Sequence, residues 1–259
     1  MAEVSHPILR VKNLHKRFGE LVAVRGVSFT VQHGATLGIV GESGCGKSTL
    51  ARLVMGLEKP DDGEIFLQER DQDHWFMRDM QGYRRRIQYV FQDPIMSLNP
   101  RKTVAQLLEL PLQNMTRLNR EQRAARVREL MQLVNLRPEF LNRYPHEFSG
   151  GQCQRIGIAR ALATEPEILV LDEPVSALDV SVQAQILNLL KELQQRLGLT
   201  YLFISHDLAV IEILCDRVLV MYQGAVVEQG PRAQIFGAPQ HDYTKKLLAS
   251  VPRLTGAVQ

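Results

Sequence analysis

The sequence has few cysteines, no long apolar run and no pronounced charge of one sign, and each shortage excludes a class of protein. Cys45, Cys153 and Cys215 lack the CxxC spacing of a zinc site and are too few for a disulfide framework, so we expect a reducing compartment. No apolar run approaches the ~20 residues that span a bilayer. The N-terminal residues show no basic segment followed by an apolar one. We therefore expect neither a secretory signal nor a membrane crossing by this chain.

The charge is nearly balanced, with 31 Lys and Arg against 28 Asp and Glu, a net charge of +3. A nucleic-acid-binding protein concentrates basic residues in a patch or stripe, so no nucleic-acid partner is expected. The three arginines at residues 84–86 are interpreted as a solvated face and not as such a patch. The composition, 45% hydrophobic and 23% charged, is typical of a globular chain and excludes a disordered one.

Short apolar strands alternate with helical patterns in the first and last parts of the chain. Residues 36–40 form an apolar strand that leads into a glycine-rich turn and then a helical pattern. Residues 168–171 and 201–204 are apolar strands on either side of a long helix with an apolar stripe. Between these parts, in residues 93–161, apolar residues recur at helical spacing. The first third is interpreted as strands and turns. The order predicts an α/β protein with a mainly parallel sheet, helices on both faces and a helical insertion.

Residues 41–48, Gly-Glu-Ser-Gly-Cys-Gly-Lys-Ser, fit the phosphate-binding pattern G-x-x-x-x-G-K-[ST] between a strand and a helix. The glycines let backbone N–H groups close around phosphates, and the helix presents its positive dipole end. Lys47 is predicted to reach the β and γ phosphates, and the Ser48 hydroxyl to ligate Mg²⁺. A glycine-rich turn without a ligand is the alternative, which the complete motif in its required context disfavours. The predicted phosphate site consists of Gly41, Glu42, Ser43, Gly44, Cys45, Gly46, Lys47, Ser48 and Thr49.

The apolar strand at residues 168–171 ends in two acids, Asp172 and Glu173. The carboxyl ends of parallel strands face the ligand crevice, so Asp172 is placed to ligate Mg²⁺. Glu173 is placed to act as a general base on the water that attacks the γ phosphate, or to orient that water. An acidic helix cap or a solvated turn is the alternative. A phosphate loop in the same chain favours the catalytic interpretation.

A further set of motifs is not explained by a phosphate loop alone. Residues 148–152, Phe-Ser-Gly-Gly-Gln, resemble the signature sequence of ATP-binding-cassette (ABC) proteins, which is usually Leu-Ser-Gly-Gly-Gln. Gln92 follows an apolar strand as in the Q-loop of that family, and residues 176–179, Ser-Ala-Leu-Asp, resemble the D-loop. His206 matches the switch histidine, and Phe18 stands where the family places an aromatic ring against adenine. The chain is identified as a member of the ABC family over essentially its whole length.

The resemblance implies a fold, two cofactors and a set of roles. The implied fold is an α/β P-loop NTPase (RecA-like) core with a mainly parallel sheet, an N-terminal antiparallel β subdomain and an inserted α-helical subdomain. The cofactors are ATP and Mg²⁺. The implied catalytic residues are Glu173, His206, Gln92 and Lys47, and the implied metal ligands are Ser48, Gln92 and Asp172. Beside the phosphate loop, the implied nucleotide contacts are Phe18, Ser149, Gly150, Gly151, Gln152 and Asp179.

The resemblance also implies a site shared by two chains, in which the signature of one subunit closes over ATP on the phosphate loop of the other. Ser149 and the N–H groups after it open a helix, which can bind the far side of the triphosphate. A plain helix cap by Ser149 is the alternative, and both can hold at once.

The expected division of this single ABC domain is a core at 1–92 and 162–236, a helical subdomain at 93–161 and a C-terminal segment at 237–259.

Three segments resemble the peptide and nickel importer branch of the family: 91–101, 173–183 and 241–248. In that branch the helical insertion docks on a membrane permease, so the expected location is the cytoplasmic face of the inner membrane. The expected partners are a second ATPase subunit (identical or paralogous), permease subunits and, indirectly, a solute-binding protein. Residues 100–104 resemble nickel-type members, and peptides or metal chelates both remain open as substrates. Many members of the branch carry a longer C-terminal tail than the one after residue 248.

Two other functions remain as alternatives. A soluble cassette ATPase of translation or DNA repair usually fuses two cassettes or carries a long coiled-coil insertion, and neither is found here. A non-catalytic regulatory module is expected to have lost one of the catalytic or metal-binding residues, and all of them are present. Two departures from the family pattern, Phe148 for Leu and Cys153 for a polar residue, bear on the expected contact between subunits.

Overall fold

The structure is a computed structural model, and it describes residues 6–250 of the 259. The strands are β1 (Leu9–Phe18), β2 (Leu21–Val31), β3 (Thr36–Val40), β4 (Asp62–Leu67), β5 (Arg70–Asp71), β6 (Ile87–Val90), β7 (Ile168–Asp172), β8 (Thr200–Ile204), β9 (Arg217–Tyr222) and β10 (Ala225–Pro231). The helices are α1 (Lys47–Val54), α2 (Gln72–Arg86), α3 (Val104–Met115), α4 (Arg120–Leu133), α5 (Gly150–Leu162), α6 (Val180–Leu197), α7 (Leu208–Leu214), α8 (Arg232–Gly237) and α9 (Asp242–Ala249).

The central sheet has six strands in the order β10-β9-β3-β8-β7-β6. Strand β10 is antiparallel to β9, and the other five strands run parallel to one another. Every residue of β3, β7 and β8 is buried, as the uninterrupted apolar runs predict for strands that are covered on both faces. A separate four-stranded antiparallel sheet in the order β2-β1-β4-β5 contains the N-terminal strands. The predicted α/β fold is confirmed.

The strand order decides where the site lies. The segments that follow β3, β8, β7 and β6 emerge from the same edge of the sheet, because these four strands are parallel neighbours. They carry, in that spatial order, the phosphate loop, His206, the Asp172–Glu173 pair and Gln92. In a parallel sheet this is the edge at which ligands bind.

Helices α3, α4 and α5 pack together after β6 and form the helical insertion. Each begins with a capping box, in which a polar side chain and a glutamine three residues later bond each other's backbone N–H groups. The three pairs are Thr103–Gln106, Asn119–Gln122 and Ser149–Gln152. The predicted subdomain boundaries stay a prediction. No helix in the described range 6–250 is long and apolar enough to span a membrane.

Helix α2 was not predicted, since the first third of the chain was interpreted as strands and turns. Only Gln72, Trp75 and Tyr83 of its fifteen residues are buried, so its apolar stripe is too sparse to stand out in the sequence. The arginines at its end are exposed as expected at residues 84 and 85. Arg86 differs: its guanidinium lies 4.9 Å from the Trp75 ring centre and its Nε is 3.2 Å from a Glu167 carboxylate oxygen.

Candidate active site

Two glycines of the phosphate loop are required by the close approach of backbone from other strands. Gly41 has φ 151°, and a Cβ there would lie 2.2 Å from the Met221 carbonyl oxygen at the end of β9. Gly46 has φ 107°, and its Cβ would lie 2.2 Å from the Ala23 carbonyl oxygen. Helix α1 then begins at Lys47. Any other residue at either position would both clash and strain the backbone.

Lys47 is almost fully buried, with 6% of its surface exposed. Its ammonium group donates to the Gly41 carbonyl oxygen at 2.7 Å and to the Glu42 carbonyl oxygen at 2.8 Å. The loop's own carbonyls therefore hold the charge that the sequence predicts will meet the phosphates. Cys45 lies beneath this group, with its Sγ 3.9 Å from the Lys47 Nζ. Burial raises the pKa of the Cys45 thiol, so the side chain is a neutral packing group.

The two predicted metal ligands Ser48 and Asp172 face each other, with the Ser48 hydroxyl 3.4 Å from Asp172 Oδ1. Asp172 is buried at the end of β7, and the Tyr89 hydroxyl donates to its other oxygen. Burial, together with the Asp172 charge, raises the pKa of Tyr89, so this hydroxyl stays protonated and remains a donor. A hydroxyl from the first turn of α1 and a carboxylate oxygen from the end of β7 suit the oxygen-ligand preference of Mg²⁺.

The Glu173 carboxylate contacts two other predicted catalytic side chains, those of Gln92 and His206. The Gln92 amide donates to its Oε2 at 3.0 Å, and the His206 Nδ1 lies 3.1 Å from its Oε1. The Glu173 backbone has φ 47°, which is uncommon for a residue other than glycine. Its N–H donates to the Ile204 carbonyl oxygen at 2.9 Å. The hydrogen bond to β8 therefore fixes the Glu173 backbone, and the contacts with Gln92 and His206 hold its carboxylate.

Most of the predicted phosphate-loop and catalytic residues line one cleft of about 590 Å³, whereas Gly41, Glu42, Cys45 and Asp172 do not line it. Its lining residues come from β1, β2, the phosphate loop, the start of α1 and the segments after β6, β7 and β8: Phe18, Leu21, Ala23, Ser43, Gly44, Gly46, Lys47, Ser48, Thr49, Gln92, Glu173 and His206. Phe18 is 45% exposed at the cleft wall, and the Lys16 ammonium lies 5.4 Å from its ring centre. An exposed aromatic ring beside a phosphate site has the shape and chemistry to stack on a base.

The signature residues 149–152 and Asp179 do not line this cleft. Ser149 caps α5: its hydroxyl accepts the Gln152 N–H at 3.4 Å, and the Gln152 side chain accepts the Ser149 N–H at 3.0 Å. Asp179 precedes α6, is exposed and makes no side-chain cap bond. The capping alternative for Ser149 is therefore realised in the structure. Ser149 is exposed, Gly150 and Gln152 are half-buried and Gly151 is buried, and the two-chain site stays a prediction.

The two departures from the family signature lie on its packed side. The Phe148 ring packs edge-to-face on Phe140 with the centres 5.9 Å apart. Cys153 is fully buried, and its Sγ lies 3.5 Å from the Pro145 carbonyl oxygen. Burial raises the pKa of this thiol. Cys153 belongs to the core of the helical insertion, and Phe148, which is partly buried, packs against that core.

Sequence reasoning missed three residues of the site. Leu21 and Ala23 of β2 line the cleft beside Phe18, and no motif marks them. Tyr89 bonds Asp172, although in the sequence it is only one member of an apolar strand. A tyrosine at an inward position of a strand that adjoins the acidic one is a usable signal, because a buried hydroxyl needs a partner.

Residues 24–176 match the family model described as ABC transporter. The chain belongs to the ABC transporter family. Residues 227–259 of this ABC protein match a second model, the C-terminal region of oligopeptide/dipeptide transporters. The resemblance to the ABC family, and to its peptide importer branch, is confirmed.

Relatives of the ABC protein include the dipeptide transport ATP-binding protein DppF of Haemophilus influenzae, which is 51% identical over 249 residues that cover 94% of this chain and 75% of the relative. The oligopeptide transport ATP-binding protein AppF of Bacillus subtilis is 50% identical over 247 residues, with the same two coverages. Both names concern peptide transport. The nickel-type interpretation of residues 100–104 gains no support from them.

Solved structures that are similar to the ABC protein include two ABC cassettes. One is cbiO1 from Clostridium perfringens, part of the ABC transporter complex cbiONQ, with a TM-score of 0.81, 32% identity and coverage of 90% of this chain and 91% of that one. The other is the ATP-binding cassette MJ0796 in a dimeric post-hydrolysis state bound to ADP and Pi, with a TM-score of 0.77, 32% identity and coverage of 86% and 98%.

Proposed function

We propose that this ABC protein hydrolyses ATP to drive the import of peptides through a membrane transporter. The observation that carries the hydrolytic part is the Glu173 carboxylate, which lies between Gln92 and His206 at the cleft that contains the phosphate loop. The peptide class is supported by the dipeptide and oligopeptide relatives and by the match of residues 227–259. Metal chelates have no comparable support.

Each side chain of the cleft has a part in this reaction. The Lys47 ammonium and the loop N–H groups bind the β and γ phosphates and stabilise the charge that develops there. Glu173 accepts a proton from, or orients, the attacking water, while Gln92 and His206 fix the position of its carboxylate. Phe18 stacks on the adenine ring. The reaction therefore depends chiefly on positioning and electrostatics.

Ser48, Asp172 and Gln92 would hold Mg²⁺ together with the phosphates. When bound, this ion supplies a Lewis acid that neutralises charge on the phosphate oxygens. The facing oxygens of Ser48 and Asp172 support this assignment. The Tyr89 hydrogen bond keeps Asp172 in the orientation in which its Oδ1 points to Ser48.

A second cassette completes the site in this proposal. The exposed residues Ser149 and Asp179 lie outside the cleft of their own chain, and the related cassette MJ0796 is a dimer. We therefore place Ser149, Gly150, Gly151, Gln152 and Asp179 against ATP on the opposite subunit, which is either an identical chain or a paralogue. The proposed assembly includes no nucleic-acid partner.

A permease and, indirectly, a solute-binding protein are the remaining partners. The loop after Gln92 exposes Ile95 and Met96, at 54% and 82%, and Phe91 before it is 46% exposed. Exposed large apolar side chains in one short segment mark a protein interaction site. Docking of this segment on a permease would place the protein at the cytoplasmic face of the inner membrane. A soluble cassette ATPase or a regulatory module is not favoured by the transport relatives.

The test of hydrolysis is Glu173→Gln. We expect kcat to fall at least ~100-fold, because the variant loses the base but keeps the hydrogen-bonding shape. ATP binding is expected to persist, and dimers to accumulate with ATP in size-exclusion chromatography. Glu192→Gln makes the same chemical change at an exposed position of α6 and is expected to leave kcat unchanged. Turnover of Glu173→Gln near the wild-type value would contradict the role of Glu173.

The same assay addresses the substrate when the protein is assembled with its permease. Peptides presented with their binding protein are expected to stimulate ATP turnover, and Ni²⁺ is not. Stimulation by Ni²⁺ alone would favour the metal-chelate alternative while leaving the hydrolytic assignment intact.

A further inference from the structure

The C-terminal helix α9 contacts the phosphate loop through one hydroxyl group. The Tyr243 hydroxyl accepts the backbone N–H of Glu42 at 3.1 Å, across 201 positions of sequence. The Tyr243 ring packs on Tyr222 with the ring centres 4.3 Å apart. Tyr222 is the last residue of β9. The ring therefore fills the space between α9, the end of β9 and the first peptides of the loop.

The peptide that Tyr243 contacts is also the one that holds the catalytic ammonium. The Glu42 carbonyl oxygen accepts from the Lys47 Nζ, and so does the carbonyl oxygen of Gly41. Gly41 in turn has no room to shift toward β9, because the Met221 carbonyl lies against it. A hydrogen bond at the Glu42 N–H thus restrains the segment that sets the position of Lys47.

The start of α9 is itself anchored, so the tyrosine does not depend on a loose segment. The Glu228 carboxylate on β10 accepts the backbone N–H groups of Gln240 at 2.8 Å and His241 at 3.0 Å. The His241 Nδ1 then accepts the N–H of Tyr243 at 3.1 Å. Burial raises the pKa of Tyr243, so its hydroxyl is neutral, and the oxygen accepts the Glu42 N–H through a lone pair.

We propose that Tyr243 is a positioning residue for ATP binding, which holds the Gly41–Glu42 peptide and through it Lys47. This inference rests on the proposed ATPase function and adds a role for the C-terminal segment in the nucleotide site. Without the hydroxyl, the peptide must be ordered when the triphosphate binds, and the free energy of that ordering is lost from ATP affinity. The chemistry of hydrolysis at Glu173 is unaffected.

The test is Tyr243→Phe in the full-length protein, with Tyr222→Phe as the matched control. The control removes a hydroxyl whose contact is with the Gln223 side chain at 3.2 Å, and it keeps the ring stack. For Tyr243→Phe we expect the Kd and KM for ATP to rise about 3- to 10-fold, the effect of one net hydrogen bond, with kcat changed less than about 2-fold. For Tyr222→Phe we expect neither constant to change.

Hydrogen exchange without nucleotide gives an independent measurement. In Tyr243→Phe the Glu42 amide is expected to exchange faster, while the amides of α6 exchange as in the wild type. Three results would overturn the role of Tyr243 and leave the proposed function standing. They are unchanged ATP affinity, unchanged exchange of the Glu42 amide, and a rise in KM accompanied by a matching fall in Tm. Failure of the wild-type protein itself to bind ATP would overturn the proposed function as well.

Discussion

At Gly151, helix α5 packs directly against Val182 of α6. A Cβ placed on it would lie 2.4 Å from Val182 Cγ1, whereas a Cβ on Gly150 would lie 3.3 Å from Leu178. Both glycines are helical, so the constraint at Gly151 is contact between helices and not backbone conformation. This contact places the signature residues beside the D-loop that precedes α6. The second glycine of the signature therefore has a packing role that the motif itself does not reveal.

Gly151→Ala is expected to destabilise the protein by roughly 1 to 2 kcal/mol, because overpacking outweighs the helix propensity that alanine gains. Adding Val182→Ala should recover most of the loss. Gly157→Ala is the matched control in the same helix, since nothing lies within 4 Å of a Cβ there, and it should not destabilise. Urea denaturation measures all three. Equal stability of Gly151→Ala and Gly157→Ala would contradict this account.

At the scale of elements, Glu228 joins β10 to the start of α9, two elements that α8 separates in the chain. It belongs to β10 and accepts two backbone N–H groups at the start of α9. Burial opposes its ionisation, but the hydrogen bonds that it accepts outweigh this effect and lower its pKa. A carboxylate with a lowered pKa stabilises the fold above its ordinary pKa and loses that contribution as the pH falls through its folded value.

Glu228→Gln is expected to lower stability by about 1 kcal/mol at pH 7, because a neutral amide offers one acceptor where two N–H groups need partners. The difference from wild type should persist down to about pH 4.3, the ordinary value for glutamate, and fade below it. Thermal unfolding across this pH range measures the effect, with Glu192→Gln as the exposed control. A difference that grows as the pH falls would show that another group anchors α9.

At the scale of the whole molecule, the central sheet divides the core into two clusters and belongs to both. In β7, Leu169 and Leu171 face the cluster that contains the helical insertion, while Val170 faces the cluster that contains α1, α2 and the antiparallel sheet. In β8, Phe203 and Leu202 alternate in the same way. A strand cannot lose its contacts on one face and keep its place on the other, so the clusters should unfold together.

Leu108→Ala tests this coupling. Leu108 is fully buried in α3, and its truncation is expected to cost about 2 to 5 kcal/mol. The lone tryptophan, Trp75, lies in the other cluster, so its fluorescence and the far-UV circular dichroism should show the same shift in urea midpoint. Leu110→Ala, at a position in the same helix that is 41% exposed, should shift it little. Separate midpoints for the two signals would mean that the clusters unfold independently.

The sequence by itself determined the features whose cause is local. The phosphate loop is predicted by the spacing of glycines between a strand and a helix. Strands β3, β7 and β8 are predicted by short uninterrupted apolar runs, which are typical of strands buried on both faces. The capping of α5 by Ser149 follows from a polar residue with glutamine three positions later. Family membership rests on such motifs, and they need no knowledge of how distant segments meet.

The tertiary structure decided which of these residues meet. Gln92, Glu173 and His206 converge because β6, β7 and β8 are parallel neighbours, although Gln92 and Glu173 are 81 positions apart in the chain. Helix α2 was not predicted, because few of its side chains are buried and the sequence therefore shows no clear apolar stripe. The Tyr243 contact with Glu42 joins two segments at opposite ends of the chain. Such contacts depend on the packing of whole elements, and a local pattern of residues does not encode them.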